Sequence, residues 1–591
     1  LRELDQYYEA IKSFDSAIIL DRKFSSAYVN KGLTFFRMKE LHDSLLWYNK
    51  VLKFDKNCLP AYYHKANTLR ELKKFTESID CYNTALQMNG YYLGAYLGKG
   101  AVLIALKKHE EADDCFKKAT EMYPENADIL IGQGYLCYDK GQFDDAIMLY
   151  NQALDIYSHH AEGYYRKGLV LTSLKKHEQA LVCYVEASTI NRGFLQAFFS
   201  QGNTLKILKR YDEALACYDR VIELDKNHTN ALFNKANVLR SLKRIHEAID
   251  IYDKVLRRDE DHARAFNNKG LALADIRKFE EAVDCYDKAL EIDSNSPRIL
   301  FNKGVAMVAL TEYSLGIECY DLALKIDPHR PKIHHNKGLA FVAMEKPDTA
   351  LTCFDKAIEI DAKFFPSWYS KGIVLTSMEQ YDKALEHFDR AMRLEPKNPD
   401  VHNNKGLVFY KRQEYETAIE SFDKALELNA MHAYSHNNKG LSLLALKEAE
   451  KAQQCFEEAI KVVPTDPDFY NNLGNALADL GEKSKAIEMY DRALQIQKSH
   501  ANAKENKERI DGCSCAIQQM WLFTFYQQIW VLLGLFCLST RGLTDQQTDN
   551  VQKVDLNYFS SCYLLMDNPT LRSPLSRFSL KLKMGSKETK N

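Results

Sequence analysis

The stretch ARAFNNKGLALADIRKFEEAVDCYDKALEIDSNS, residues 263–296, is one unit of a pattern that fills most of the chain. Starting at Ser25, fourteen units of 34 residues follow one another without insertion or deletion and end at His500. Within residues 263–296, apolar residues recur at helical spacing in two runs, separated by a short turn at residues 276–278. A fixed period with two amphipathic helices per unit predicts an all-α solenoid.

Small and aromatic residues recur at fixed positions of the unit. Position 8 is Gly in twelve units and Ala in two, position 20 is Ala, Ser or Gly, and position 24 is aromatic in all fourteen. Gly inside a helix costs about 1 kcal/mol relative to Ala, so its recurrence needs a packing reason. We expect Gly270 of the first helix to pack closely on Tyr286 of the second, with Ala282 beside them. Because no unit buries both faces alone, neighbouring units must stack.

The composition excludes some classes of partner and site. Lys and Arg number 79 and Asp and Glu 81, for a net charge of −2, which argues against a nucleic-acid or anionic-membrane partner. Eight of the 14 cysteines fall at position 23 of their units, which predicts buried reduced thiols and a cytoplasmic or nuclear protein. These are Cys81, Cys115, Cys183, Cys217, Cys285, Cys319, Cys353 and Cys455.

The register of the repeat defines four segments. Residues 1–24 read as the second half of a unit, so we expect the sequence to be truncated before residue 1. Residues 25–500 hold the fourteen units. Residues 501–511 continue the register with polar residues, which predicts a capping helix. Residues 512–591 form a tail without repeats.

The units resemble tetratricopeptide repeats, with Gly at position 8, Ala at 20, an aromatic residue at 24, Ala at 27 and sometimes Pro at 32, as in Pro124 and Pro328. The resemblance covers residues 1–511. It implies a right-handed superhelical solenoid of antiparallel helix pairs, whose first helices line a concave groove. One departure is regular, because eleven units carry Lys at position 7 where the family usually has Leu. We expect the Lys stem to pack beside the core while its ammonium reaches water.

Asparagine recurs at position 6, on the side of the first helix that, as the resemblance implies, faces the groove. A side-chain amide offers both a donor and an acceptor. Units stack about 10 Å apart and an extended peptide rises roughly 3.3 Å per residue, so one Asn would face every third peptide group. The superhelix of the O-linked N-acetylglucosamine transferase family is similar, with Asn along its groove. The alternative is solvated Asn copied by duplication. The asparagine ladder comprises Asn30, Asn234, Asn268, Asn302, Asn336, Asn404, Asn438 and Asn472.

The earlier units differ at the same position. Around Gly132 the neighbouring groove residues include Ile131, Tyr135 and Tyr138, which predicts a small hollow with aromatic walls for an apolar side chain. The groove is therefore expected to have two sectors, an aromatic anchor near residues 93–200 and the ladder over 229–500. The clamp that some tetratricopeptide repeats use for a terminal carboxylate is incomplete in every unit.

Catalytic and cofactor motifs are missing from the sequence, so we expect no catalytic residue, metal site or cofactor. The His pairs at 159–160 and 334–335 are expected on the surface. In the tail, residues 520–539 are mostly apolar and long enough to span a bilayer. A transmembrane segment, an apolar helix packed on the last units and a mistranslated extension all remain open.

These observations favour a non-catalytic scaffold or adaptor that binds other proteins or peptides in its groove. Two alternatives are the substrate-recruiting region of a larger glycosyltransferase-like enzyme and an adaptor anchored in a membrane through residues 520–539.

Overall fold

The computed structural model describes residues 2–510, and every secondary-structure element among them is a helix. The all-α fold class is confirmed, and consecutive helices pack as pairs. The chain divides into two compact bodies, an N-terminal body of Leu1–Ser367 and a C-terminal body of Trp368–Asn591, and the division falls within the helix Phe365–Ser377. The transmembrane candidate at 520–539 lies outside the described residues. None of the helices described is long and apolar enough to cross a membrane.

The helices of the N-terminal body begin with the half unit and continue as pairs. In chain order they are α1 (Arg2–Leu20), α2 (Ser25–Arg37), α3 (Leu41–Phe54), α4 (Leu59–Glu71), α5 (Phe75–Met88), α6 (Leu93–Ala105), α7 (His109–Met122), α8 (Ala127–Asp139), α9 (Phe143–Ile156), α10 (Ala161–Ser173), α11 (His177–Ile190), α12 (Leu195–Ile207), α13 (Tyr211–Leu224), α14 (Thr229–Ser241), α15 (Ile245–Leu256), α16 (Ala263–Asp275), α17 (Phe279–Ile292), α18 (Pro297–Ala309), α19 (Tyr313–Ile326), α20 (Pro331–Ala343) and α21 (Pro347–Ile360).

The remaining helices follow the same period. They are α22 (Phe365–Ser377), α23 (Tyr381–Leu394), α24 (Pro399–Lys411), α25 (Tyr415–Leu428), α26 (Ala433–Ala445), α27 (Ala449–Val462), α28 (Pro467–Asp479), α29 (Lys483–Ile496) and a terminal helix over 501–510. Even-numbered helices are the first of each unit and odd-numbered helices from α3 onward are the second.

The small residue at position 8 packs on the ring at position 24, as predicted. A Cβ atom on Gly270 would lie 2.6 Å from Cε1 of Tyr286, and Ala282 is fully buried beside a Tyr286 that is 1% exposed. The other units with Gly at position 8 repeat the contact, for example Gly32 with Tyr48 and Gly474 with Tyr490. In the twelve units with Gly at position 8, the two helices are therefore held at a distance that excludes even a methyl group.

The turn inside each unit uses one residue in the left-handed region. Position 15 has a positive φ in all fourteen units, and in twelve of them it is not glycine. At Lys243 φ is +62°, and the amide of the next residue, Arg244, donates to the carbonyl of Leu239. Lys, Arg, Thr, Glu and Gln give no sequence signal for this conformation, so the sequence predicts the turn but not its geometry.

The lysine at position 7 has a partner that the sequence analysis did not foresee. Where position 25 of the preceding unit is Asp, 16 residues earlier, the ammonium pairs with it, as in Lys269 Nζ to Asp253 Oδ1 at 2.6 Å. The expectation that this group simply reaches water is wrong, because the pair joins one unit to the next. The pairs described are Lys31–Asp15, Lys235–Asp219, Lys269–Asp253, Lys303–Asp287, Lys337–Asp321, Lys405–Asp389, Lys439–Asp423 and Lys507–Asp491.

Histidines at position 34 begin several first helices. The Nδ1 atom of His228 accepts from the amide of Ala231 at 3.0 Å, and His500 does the same for Ala503. His160 caps α10 in this way and also contacts Asp128 at 3.0 Å.

The prediction that the His pairs lie on the surface is wrong for His335, which is 8% exposed. This side chain lies 3.1 Å from the Ser367 hydroxyl and packs on Phe354.

The cysteines at position 23 are free thiols, and seven of the eight are buried, as predicted. Burial raises the pKa of the Cys115 thiol to about 11, so this group stays protonated and unreactive at neutral pH.

Candidate peptide-binding groove

The asparagine ladder lies on the first helices. The seven later members are half-buried, whereas Asn30 is exposed. Asn234, Asn268, Asn302 and Asn336 belong to the N-terminal body, and Asn404, Asn438 and Asn472 belong to the C-terminal body.

In the N-terminal body three ladder amides donate to the preceding unit, whereas Asn336 donates to the Lys332 carbonyl of its own helix. Asn234 Nδ2 donates to Asn203 Oδ1 at 3.0 Å, and Asn268 Nδ2 donates to Asn237 Oδ1 at 2.7 Å. The acceptors at position 9 are themselves held in place, since the Tyr252 hydroxyl donates to Asn237 Oδ1 at 2.7 Å. The bond from Asn302 goes instead to the fully buried Asn267, at 2.9 Å.

In the C-terminal body the bonds form a continuous chain of side-chain amides. Asn residues at positions 5 and 6 alternate as donors and acceptors, and each unit is linked to the next. The successive bonds are Asn438 to Asn403 (3.1 Å), Asn437 to Asn438 (3.3 Å), Asn472 to Asn437 (2.9 Å), Asn471 to Asn472 (3.2 Å) and Asn506 to Asn471 (3.0 Å). Asn404 begins the same pattern one unit earlier, donating to the Tyr369 hydroxyl at 2.7 Å.

These bonds change the interpretation of position 6. Position 6 is part of the packing between units wherever its amide bonds to the neighbouring unit, as in Asn234, Asn268 and Asn302. Asn234, Asn268, Asn438 and Asn472 each donate one bond and accept another, and Asn404 donates two. Asn302 and Asn336 each donate one bond and accept none from the described residues.

The sequence analysis did not identify Asn506 as a site residue. It occupies position 6 of the terminal helix 501–510 and donates to both Asn471 and Asn475, each at 3.0 Å. The register itself was the signal, because Asn506 and Lys507 continue positions 6 and 7 after the last complete unit. Ala503 and Ile510 of this helix are buried in a cluster with Tyr490.

The aromatic sector is only partly as expected. Ile131, Gly132 and Tyr135 line one pocket of about 160 Å³. A Cβ atom on Gly132 would lie 2.5 Å from Phe116 of the preceding unit, so packing between units requires this glycine. The Arg166 guanidinium stacks 4.5 Å from the centre of the Tyr135 ring and pairs with Glu162 at 2.6 Å. The pocket therefore has an apolar floor and a charged rim.

The structure places Tyr138 away from that pocket. Its ring packs on Phe143 with centroids 5.8 Å apart, and its hydroxyl lies 3.1 Å from Ser173. A larger pocket of about 380 Å³ lies two units earlier and was not predicted; Tyr48, His64 and Arg70 are among its lining residues. Burial lowers the pKa of His64.

No group of three or more His, Cys, Asp or Glu side chains within residues 2–510 could hold a metal ion. The charged side chains there occur in ion pairs and on solvent-facing surfaces. The groove thus offers amides, rings and charged side chains, which are the chemistry of non-covalent recognition.

Comparison with family models identifies the repeat. Models described as tetratricopeptide repeat or TPR repeat match residues 59–92, 91–159, 138–188, 195–228, 229–262, 263–296, 331–364, 353–386, 372–413, 399–431 and 437–501. Together these matches span more than half of the chain. No curated protein matches it.

Several solved structures are similar. The APC/C hetero-tetramer Cut9–Hcn1 is 15% identical and covers 84% of this chain and 98% of its own, with a TM-score of 0.39. YrrB, a TPR protein with an unusual peptide-binding site, is 26% identical and covers 32% and 99%, with a TM-score of 0.26. A tetratricopeptide repeat protein from Parabacteroides merdae is 18% identical and covers 42% and 98%, with a TM-score of 0.37.

All three TM-scores lie below 0.5, so nothing about function follows from these structures. The family rests on the repeat models and on the packing of small residues against rings in every unit. The chain belongs to the tetratricopeptide repeat family.

Proposed function

We propose that this protein is a non-catalytic scaffold or adaptor that binds extended polypeptides along the groove face of its first helices. Membership of the tetratricopeptide repeat family supports a role in protein interaction. The free, mostly buried thiols suit a reducing compartment, and we propose the cytoplasm.

The observation that carries the proposal is the unused hydrogen-bonding capacity of half-buried amides. Asn302 and Asn336 keep a carbonyl oxygen and one N–H group that no described residue engages. An amide with both groups open can bind the C=O and N–H of a peptide backbone, whatever the sequence of the peptide. A bond to Asn267 of the preceding unit holds Asn302 in place, and a bond to the Lys332 carbonyl of its own helix holds Asn336, which lowers the entropy lost on binding.

The test compares a ladder variant with a matched control in the full chain. The ladder variant replaces Asn234, Asn268, Asn302 and Asn336 by Ala. The control replaces Asn267 by Ala, because this fully buried side chain takes part in the network without facing the groove. Linear peptides selected from a random library on the native protein serve as ligands.

We expect the ladder variant to bind the selected peptides at least about tenfold more weakly, since one net hydrogen bond contributes about 1 kcal/mol. The Asn267→Ala control should retain most of the affinity. Equal losses in both proteins, or unchanged affinity in the ladder variant, would mean that the amides support the fold and do not contact the ligand. Circular dichroism of each variant checks that the helices remain folded.

A further inference from the structure

The sign of the charge at position 2 of the first helix changes along the N-terminal body. Position 2 is acidic in α8 and α10, at Asp128 and Glu162, and basic in α16, α18 and α20, at Arg264, Arg298 and Lys332. The three basic side chains are exposed. This change divides the groove into segments that suit ligands of different charge.

Among the described residues, no ion pair engages these three cations. Across the five first helices α12, α14, α16, α18 and α20, the single acidic residue is Asp275, which pairs with Arg240 at 2.7 Å. The aspartate at position 25 of the second helix pairs with a position-7 lysine, as Asp287 does with Lys303. The charges of Arg264, Arg298 and Lys332 therefore remain available.

Aromatic rings hold two of these cations on the groove face. The Arg264 guanidinium carbon lies 5.2 Å from the centroid of the Phe233 ring, and Lys332 Nζ lies 5.2 Å from that of Phe301. Both rings are at position 5 of the preceding unit, next to the ladder. Contact with a ring face restrains a long cationic side chain without neutralising its charge.

A fourth cation increases the positive potential at the start of this segment. Lys206 Nζ donates to Asn234 Oδ1 at 3.1 Å. Burial lowers the pKa of the Lys206 ammonium, and the charge of Arg264 lowers it further. Two cations whose charges interact repel each other, and a bound anion would offset that repulsion.

Apolar side chains accompany these charges and favour a polypeptide over a nucleic acid. Val305 and Leu339, at position 9, are 40% and 41% exposed, and Val342 is 39% exposed. Aliphatic side chains suit the apolar residues of a peptide. Nucleic-acid bases need open aromatic faces for stacking. In this segment Arg264 covers a face of the Phe233 ring and Lys332 covers a face of the Phe301 ring.

We propose that this segment, the basic groove formed by Lys206, Arg264, Arg298 and Lys332 with Val305 and Leu339, binds an acidic polypeptide in extended conformation. Stacked units lie about 10 Å apart and an extended chain rises roughly 3.3 Å per residue. The ligand therefore carries a carboxylate at about every third residue, with apolar residues between. The proposal rests on the proposed function and specifies its partner.

The test measures binding of fluorescent peptides to the full chain by anisotropy. Peptides made of Asp-Ala-Leu, Asn-Ala-Leu or Lys-Ala-Leu repeats differ only in the charge at every third residue. We expect the Asp peptide to bind at least tenfold more tightly than the Asn peptide and the Lys peptide to bind most weakly. Added salt should reduce the preference, because it screens exposed charges.

Matched variants locate the effect. The change R264E/R298E/K332E should abolish the preference for the Asp peptide. The control K254E/R258E/K325E alters the net charge equally at exposed residues outside the first helices and should leave the preference intact. The neutral variant R264Q/R298Q/K332Q should reduce it partly. Thermal unfolding of each protein checks that the helices remain folded.

Each contrary result has its own meaning. Equal binding of the Asp and Asn peptides overturns the acidic specificity and leaves polypeptide binding in place. Failure of all three peptides to bind contradicts the proposed function itself. Tighter binding of an oligoadenylate RNA than of the Asp peptide overturns the proposal in favour of a nucleic-acid ligand. An equal loss of preference in the control variant removes the basic groove as its cause.

Discussion

The tyrosines at position 24 have the same burial but different hydrogen bonding. The hydroxyl of Tyr82 donates to Asn67 Oδ1 at 2.6 Å, whereas that of Tyr48 is buried without a partner among the described residues. The nearby Ser44 hydroxyl lies instead 3.3 Å from that of Thr68. A buried polar group left unpaired costs about 1–3 kcal/mol.

We therefore expect opposite results from the same substitution at two equivalent sites. Tyr48→Phe should leave the free energy of unfolding unchanged or raise it, because it removes an unpaired hydroxyl. Tyr82→Phe should lower it by about 1 kcal/mol, because it breaks a hydrogen bond and leaves Asn67 Oδ1 unpaired. Denaturant unfolding of both variants measures the difference, and a clear loss of stability in Tyr48→Phe would contradict the assignment.

His335 predicts a dependence of stability on pH. Burial lowers its pKa from 6.5 to about 4. Between these values the unfolded chain binds a proton that the folded chain does not, so this residue's contribution to stability is present above pH 6.5 and is lost as the pH falls towards 4.

We expect His335→Gln to unfold with a weaker dependence on pH between 6.5 and 4 than the native protein. The difference should reach about 1 kcal/mol per pH unit inside this range. Thermal unfolding followed at several pH values measures it. A parallel pH dependence in both proteins would show that His335 does not titrate as its burial implies.

At the scale of helices, the Lys–Asp pairs between units connect the first helix of one unit to the second helix of the unit before. Lys269 is 22% exposed and Asp253 35% exposed, so water weakens the pair without eliminating it. By contrast, Lys278 and Glu281 form a pair at 2.6 Å within one turn, with both side chains more than half exposed.

A double-mutant cycle should separate the two kinds of pair. For Lys269→Met and Asp253→Asn we expect a coupling energy of about 0.5–1 kcal/mol in the free energy of unfolding. The control cycle, Lys278→Met with Glu281→Gln, should give about 0.3 kcal/mol, as is usual for pairs on a helix surface. Equal coupling energies in the two cycles would show that the inter-unit pair stabilises the fold no more than a pair on a helix surface does.

Recurrence explains how much of these elements the sequence could predict. Gly270, Ala282 and Tyr286 were identified because the same residue types return in every unit. The sequence carries a similar signal for the Lys–Asp pairs, which the sequence analysis did not use. Position 25 of the preceding unit is Asp before Lys235 but Asn before Lys65, so its residue type indicates where a pair can form. The amide network could not be predicted, because Asn268 and Asn302 choose different acceptors, 31 and 35 residues earlier. The acceptor depends on how adjacent units stack. For the same reason the sequence could not predict that the Tyr138 ring lies away from the pocket.

At the scale of the whole molecule, stability in a solenoid depends on contacts between neighbours, so each end needs a terminal element. In the C-terminal body we infer that this element is the helix 501–510. Ala503 and Ile510 are buried against residues that include Tyr490, while Lys504 and Glu508 are exposed. The helix thus carries an apolar inner face and a polar outer face.

A chain ending at residue 500 should therefore show faster hydrogen exchange in α28 and α29 than a chain ending at residue 510. The comparison isolates the helix, since both proteins lack everything after residue 510. We expect no change in α2–α21, because units contact only their neighbours. Unchanged exchange in α28 and α29 would show that the last unit does not need this helix.

The amide network also has a direction. Wherever a ladder residue bonds to the preceding unit, as Asn268, Asn302 and Asn472 do, its N–H group is the donor and the acceptor lies nearer the N-terminus. The dipoles of these amides are therefore aligned along each body and do not cancel. A polypeptide backbone also has a direction, so the groove should distinguish the two orientations of a bound strand. A peptide and its reversed sequence, identical in composition and charge, should bind with different affinities.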